Sequence, residues 1–362
     1  MLNLYLFGSF MNDNFGDFLI YEEEIRCLYA RFGDKIRVLT TDISPFYDKY
    51  TRVERMSHRE ALREADVIVF GGGGYFGVGV PRLVPNIQFM QLFGRRALSI
   101  AKSGKPFMVA GVGAGPLNYG FSRNVARQVF ERAKVVSVRD VESREFLQQI
   151  GVERSIEVHA DWILGAQYIW DQQGDSWVSE NCIKRKIMLI HLVTMSEEKG
   201  TGVEIVIEDI KRFCREHGEY QPVILCDQTK QDVYDRTKEV YRELTEVSPM
   251  YYPYRTPGGM LALIKAADLI LTDKLHLGIV GINLGKKVVS VANHPKTLRL
   301  YKQVNRESYC TLIRTIKKGQ AYQMLQAVLD APLMDISKIK EDAQQNGELV
   351  CGFVNDFLSG NR

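Results

Sequence analysis

The segment Thr272-Asp273-Lys274-Leu275-His276-Leu277-Gly278 brings an ammonium group and an imidazole within two residues of each other. An apolar strand, Leu269–Leu271, stops just before it, and a helix pattern starts just after. The first turn of a helix has free N–H groups and the positive end of its dipole, so it attracts anions. Lys274 and His276 beside it can bind a phosphate or carboxylate and move a proton near neutral pH. The competing reading is a histidine that caps the helix or packs between domains.

Three further loops follow strands in the first half of the chain. Gly8–Asp17 contains Asn14, Gly16 and Asp17, read either as site groups or as helix caps. Asp17 is a candidate base for a substrate hydroxyl. Gly71-Gly72-Gly73-Gly74 exposes backbone N–H groups that can cradle an anion or a sugar, or makes a tight turn. It lacks the Lys-Ser/Thr of a P-loop, and Gly111-Val112-Gly113-Ala114-Gly115 fits a dinucleotide fingerprint only loosely. Arg139, in Ser137-Val138-Arg139-Asp140, either faces a site or pairs with Asp140 or Glu142. Among the remaining histidines, His294 with Lys296 follows the strand Val288–Val291 and is a second candidate pair. His159 ends a strand, His191 lies in an apolar strand, and His58 and His217 read as surface helical.

Positioning these loops requires strands alternating with helices. Leu2–Gly8, Lys35–Thr41, Val67–Phe70, Pro106–Val112, Lys134–Val138 and Ser155–His159 read as strands, with helices between them including one around Pro85–Ser103. Runs such as Val67-Ile68-Val69-Phe70 fit strands buried on both faces of a parallel sheet. The pattern lapses into polar residues between Gln172 and Arg185, read as a linker. It restarts with strands at Lys186–Val193, Pro222–Cys226, Asp268–Thr272 and Lys287–Val291. The tail from Gln320 to Leu358 reads as helix interrupted near Pro332. The expected architecture is α/β, with two Rossmann-like domains facing a cleft, at 1–172 and 186–318. Helices at 319–362 would pack back across the cleft. Ligands of such sheets sit at the carboxyl ends of strands.

A chain of 362 residues, 45% hydrophobic and 25% charged, has globular composition and is long enough for two domains. A formal net charge of +3 is far from the footprint of a nucleic-acid binder. The basic run Lys184-Arg185-Lys186 reads as a solvated strand entry. Six cysteines without CxxC spacing fit free buried thiols in a reducing compartment, and no Cys/His cluster has metal-ligand spacing. The N-terminus reads as a buried strand rather than a signal peptide, and no stretch of about 18 apolar residues predicts a membrane span. A cytoplasmic protein is expected, meeting any lipid-linked acceptor peripherally at the inner face of the membrane.

In order and spacing, these motifs resemble the polysaccharide pyruvyltransferase family over most of residues 1–310. The resemblance runs through Asn14-x-Gly16-Asp17, Gly71–Gly74, Gly111-x-Gly113-x-Gly115-Pro116, Ser137-x-Arg139-Asp140-x-x-Ser143, Asp161, and Leu275-His276 leading to Gly285. It implies a fold similar to paired-Rossmann, GT-B-type glycosyltransferases. It also implies transfer of the enolpyruvyl group of phosphoenolpyruvate onto sugar hydroxyls, forming a pyruvate ketal. Phosphoenolpyruvate is then a co-substrate, and neither a cofactor nor a metal is expected. The resemblance puts donor binding in the C-terminal half, with His276 as general acid or phosphate stabiliser and Lys274, Leu275 and Lys296 at the donor. Lys274 stands where the family usually has the arginine of an Arg-Leu-His triplet, so a point charge replaces a two-pronged fork. Asn14, Gly16, Gly72, Gly73, Gly74 and Arg139 are expected to hold a sugar or lipid-linked sugar acceptor, with Asp17 as base.

Two other classes compete. A nucleotide-sugar glycosyltransferase needs an acid in the C-terminal half to hold a ribose, and Asp227 is the candidate. A non-catalytic binding member of the family is the other. A nicotinamide oxidoreductase is poorly supported, because neither half has the full glycine fingerprint with its downstream acid.

Overall fold

The computed structural model describes residues 1–10, 13–41, 43–78, 82–167, 177–181, 183–193 and 202–360. The chain forms two compact units. The first comprises Met1–Asp13, Asp17–Ala166 and Lys338–Arg362; the second comprises Asn14–Gly16 and Gln167–Ser337.

The first unit contains strands β1 (Leu2–Phe7), β2 (Ile36–Thr40), β3 (Glu54–Arg55), β4 (Val67–Phe70), β5 (Gly73–Phe76), β6 (Phe107–Ala114), β7 (Val136–Val138) and β8 (Glu157–Val158). Its helices are α1 (Phe15–Phe32, the first two residues counted with the second unit), α2 (His58–Glu64), α3 (Leu83–Phe89), α4 (Arg95–Lys102), α5 (Gly120–Arg132), α6 (Val141–Gln149) and α7 (Trp162–Gly165). The second unit contains α8 (Trp177–Glu180), β9 (Lys186–His191), α9 (Val203–Glu216), β10 (Tyr220–Leu225), α10 (Gln231–Glu243) and β11 (Met250–Tyr252). It continues with α11 (Pro257–Ala266), β12 (Leu269–Thr272), α12 (Leu275–Asn283), β13 (Lys287–Ala292), α13 (Pro295–Gln303), β14 (Cys310–Leu312) and α14 (Gln320–Asp330). The last helix, α15 (Ser337–Leu358), belongs to the first unit from Lys338 onward.

Every strand pairing is parallel. The first sheet runs β3-β2-β1-β4-β6-β7-β8, with β5 on β6; the second runs β11-β10-β9-β12-β13-β14. Both have the doubly wound order, in which winding reverses between the first and fourth strands of the unit. The reversal lies at β1/β4 in the first sheet and β9/β12 in the second. The central strands are buried throughout because their unbroken apolar runs leave no face for water.

The structure departs from the sequence reading mainly at sheet edges and in helix details. Strands β3, β11 and β14 were not anticipated; they have two or three residues, too short for a period to show. The glycine run is half strand, since Gly73 and Gly74 open β5. The helix expected around Pro85–Ser103 is present, starting at Leu83 and running through a π-helical turn at Met90–Gly94 to Lys102. The expected linker lies mostly outside the described residues, although Trp177–Glu180 within it is helical. His58 is not a surface group: its Nδ1 meets Tyr5 Oη at 2.9 Å and its Nε2 meets Ser99 Oγ at 2.7 Å.

The C-terminal tail divides between the units because each helix answers different buried groups. Asp209 of α9 accepts from the N–H groups of Gly319, Ala321 and Tyr322, fixing the start of α14 in the second unit. Helix α15 is fixed in the first by Asn346, fully buried, which accepts from Ser137 Oγ at 3.0 Å and donates to the Ala160 carbonyl at 2.9 Å. Asp342 accepts from the Ala160 N–H at 2.7 Å. The five described cysteines are free thiols; Cys27 of α1 and Cys351 of α15 have their sulfurs 3.7 Å apart. Asn346→Ala strands the Ala160 carbonyl and the Ser137 hydroxyl in the core, at a cost of about 1–3 kcal/mol. Chemical denaturation should show that loss; an unchanged midpoint would mean that α15 is held by its apolar face alone.

A buried charge network at the strand ends of the second unit

In the second unit the polar groups converge where the winding reverses. His191 ends β9, Asp227 lies two residues after β10, and Asp273 follows β12 directly, so three neighbouring strands deliver them to one edge. His191 is completely buried, with Asp227 and Asp273 3% and 4% exposed. His191 Nδ1 donates to Asp273 Oδ1 at 2.7 Å. His191 Nε2 lies 3.2 Å from Asp227 Oδ1, at ion-pair distance but off the line of a hydrogen bond. The second oxygen of Asp273 accepts from the Val193 N–H at 3.1 Å and from Asn293 Nδ2 at 2.7 Å.

Charge follows from this geometry. Burial alone would lower the pKa of His191, but the carboxylates of Asp227 and Asp273 reverse that and raise it to about 9. Burial would raise the pKa of Asp227, yet Lys274 and His191 hold it well below the usual carboxylate range. An imidazolium thus sits between two carboxylates at neutral pH, and Lys274 Nζ, 3.6 Å from Asp227 Oδ2, makes the group of four electrically neutral. A buried cluster of this kind is tolerable only when its charges cancel.

Lys274 and His276 sit above this network. Lys274 is the N-cap residue of α12 and its side chain is partly exposed. Its N–H donates to Thr272 Oγ1 at 3.0 Å, which holds the turn between β12 and α12. His276, 9% exposed, lies in the first turn of α12, at the positive end of the helix dipole. Leu275, expected at the donor, is instead packed inward, because α12 is buried on all sides from Leu275 to Ile282. Lys296 occupies the first turn of α13; its N–H donates to Nδ1 of His294, which caps that helix.

Asn14 and Gly16 were expected beside the glycine loop of the first domain, but they pack in the second unit. Asn14 Nδ2 donates to Asp227 Oδ2 at 3.5 Å, and the Phe15 N–H donates to the Asp227 carbonyl at 3.1 Å. Asn14 Oδ1 accepts from the Gly16 N–H at 2.9 Å, turning the chain so that Gly16 lies on His276. A Cβ at Gly16 would fall 2.0 Å from His276 Nδ1, so only glycine lets this segment approach. Asp17, in the first turn of α1, belongs to the first unit.

The glycine loop of the first unit is filled by the protein's own side chains. The Gly72 N–H, expected to face a sugar, donates to Glu24 Oε1 at 2.5 Å. Trp162 covers Gly72 and Gly111, and its Nε1 donates to the Ala110 carbonyl at 3.3 Å. Of Gly72, Gly73 and Gly74, only Gly74 is exposed. Arg139 lies across Gly74 and Gly113 and is 6% exposed. Its Nη1 donates to Asp161 Oδ2 at 3.1 Å, and its Nε lies 3.9 Å from Asp140 Oδ2, one of the pairings suggested by sequence, while Asp140 Oδ1 also caps α6 by accepting from the Ser143 N–H. Glu24 is fully enclosed. Burial, with a contribution from Asp161, raises its pKa to about 8, although the Gly72 N–H opposes the shift.

Sequence reasoning missed His191, Asp273 and Glu24, and read Asp227 only as a ribose ligand. The available signal was position, since His191, Asp227 and Asp273 all close or directly follow strands.

No curated protein matches the chain. Among solved structures, Anabaena Alr3699/HepE in complex with UDP and glucose is 13% identical, with a TM-score of 0.60 over 99% of each chain. The UDP-GlcNAc 2-epimerase of Methanocaldococcus jannaschii is 14% identical, with a TM-score of 0.64 over 97% of this chain and 99% of that one. S. aureus MnaA, solved with UDP, is 13% identical, with a TM-score of 0.65 over 99% and 97%. These likenesses show the fold, a pair of Rossmann-like α/β domains. The family model for polysaccharide pyruvyl transferase matches residues 14–295, and the chain belongs to that family.

The His191 network predicts a pH signature. The folded pKa of about 9 stands above an unfolded value near 6.5, so this stabilisation is full below pH ~6.5 and is lost as pH rises through 9. NMR of the histidine rings should show one imidazole titrating near pH 9 that disappears in His191→Gln; titration of His191 near 6.5 would contradict the network.

Proposed function

We propose that this member of the polysaccharide pyruvyl transferase family moves the enolpyruvyl group of phosphoenolpyruvate onto two hydroxyls of a sugar, in a polysaccharide or its precursor. The observation that supports the reading most is His276 in the first turn of α12, beside a group of four, Lys274, His191, Asp227 and Asp273, whose charges cancel among themselves. A trianionic donor needs cations that are not already cancelled by a local excess of carboxylate. Here Asp227 and Asp273 are matched by His191 and Lys274 before any ligand arrives. His276, Lys296 and the positive end of the α12 dipole then meet the donor's charge.

The chemistry proceeds by proton addition to C3 of the enol, which makes C2 electrophilic. A sugar hydroxyl attacks C2, the C2–O bond to phosphate breaks, and a second hydroxyl closes the ketal. Of the two hydroxyl protons released, one balances the new methyl group and the other leaves on hydrogen phosphate. His276 is the proton donor to C3 or to the departing phosphate. Lys296 neutralises donor charge, and Lys274 is shared between Asp227 and the donor. Asp17, next in the chain to Gly16, is the proposed base for the acceptor hydroxyl, and Arg139 with Gly74 the proposed acceptor contacts. The Anabaena and S. aureus structures of this fold hold UDP. Asp227, the acid that the sequence offers for a ribose, is engaged here by His191 and Lys274, which favours phosphoenolpyruvate over a nucleotide sugar.

Turnover is read as phosphate released from phosphoenolpyruvate in the presence of a sugar acceptor. His276→Ala should lower kcat by at least ~100-fold with the circular dichroism unchanged, the usual scale for a lost general acid. Lys274→Ala should act mainly on KM for the donor. Gly16→Ala should behave like His276→Ala, because the added methyl displaces the imidazole. Near-normal turnover by His276→Ala would end this reading.

A further inference from the structure

Between Val67 and Phe130 the chain has five arginines and two lysines and not one Asp or Glu, although the whole sequence holds 44 acidic residues. In the first unit this stretch forms, among other elements, the continuous helix made of α3, the π-helical turn and α4. Its inner face is anchored normally. Phe89, Gly94, Ala97 and Ile100 are buried, and Asn86 Oδ1 accepts from Ser122 Oγ of α5 at 2.8 Å.

The outer face is not that of an ordinary surface helix, which is polar where it meets water. Leu83, Val84, Ile87 and Leu92 are 47%, 62%, 41% and 43% exposed, half of the exposed large hydrophobics among the described residues. Only uncharged Gln88 and Gln91 interrupt them, and the exposed Arg82 and Arg95 bracket the patch at its two ends. The result is a helix of about 30 Å that is apolar inside and out, with arginines at both ends of its exposed strip and no acid in its own stretch of chain.

We propose that this face docks on a bilayer surface carrying anionic lipid headgroups. An apolar strip of this size enters the boundary between headgroups and acyl chains, while arginines at its edge pair with lipid phosphates. The one-sided charge favours this occupant over a second copy of the chain. A two-fold interface through the patch would set Arg82 and Arg95 against their own repeats, with no acid from Val67 to Phe130 to answer them. The proposal is independent of the pyruvyl-transfer reading, because it is tested without donor or acceptor.

The experiment is flotation of the full chain with phosphatidylcholine vesicles and with vesicles in which about a third of the lipid is phosphatidylglycerol. Binding is expected to the anionic vesicles only and to fall with added salt. The double variant Val84→Ser/Ile87→Ser and, separately, Arg95→Glu should each weaken partitioning by roughly tenfold or more, with unchanged circular dichroism. The proposal is overturned if wild type and variants partition alike, or if neutral and anionic vesicles bind equally. It is also overturned if vesicles bind nothing while Val84→Ser/Ile87→Ser converts a dimer to a monomer.

Discussion

The carboxylate of Asp227 is the constraint on which the second unit's site depends. It is almost out of reach of water, and a lone carboxylate there would be protonated or would unfold its surroundings. It survives as an anion because His191, Lys274 and Asn14 converge on it, while its own main chain receives the Phe15 N–H. Each of those groups is thereby fixed. Removing the carboxylate would leave an imidazolium and an ammonium facing each other, whereas removing one of its partners would leave an excess buried charge, at a cost of several kcal/mol. Lys274 is held at the start of α12 by Coulomb attraction from below rather than by a hydrogen-bonded fork. A lysine here is a directed charge because something aims it.

The two units share a winding order and diverge in what they bring to the point of reversal. In the second unit, three strand ends deliver opposite charges that cancel. In the first, Gly71 and Gly72 after β4 admit the side chains of Glu24 and Trp162, and Arg139 pairs with Asp161 nearby. The middle of α1 therefore carries an enclosed acid whose burial favours its neutral form, while the first turn of the same helix supplies the glycine that lies on His276.

Much of the fold was legible because parallel strands buried on both faces must be apolar without interruption, and Val67–Phe70 and Leu269–Leu271 are unmistakable in that respect. Edge strands such as Glu54–Arg55 were not, since half-exposed pairs of residues carry no pattern. Lys274 and His276 stood out by spacing. The groups beneath them did not, because His191 and Asp273 are 82 residues apart and meet only through the adjacency of β9 and β12. Glu24 was hidden differently. It is the last of three consecutive glutamates, Glu22-Glu23-Glu24, which reads as a solvated helix face; Glu23 does pair with Arg26, whereas Glu24 turns inward to Gly72. The glycine run was recognised as special, but its free N–H groups had an internal partner that only the fold supplies.

The central claim is that the buried network prepares Lys274 and His276 for a small trianionic donor. Calorimetric titration of wild type and Asp227→Asn with phosphoenolpyruvate, and separately with UDP, tests it most directly. The account predicts saturable binding of phosphoenolpyruvate to the wild type, weakened at least tenfold in Asp227→Asn as Lys274 loses its anchor, with UDP bound no better than inorganic phosphate. Tight binding of UDP with none of phosphoenolpyruvate, unaffected by Asp227→Asn, would contradict it.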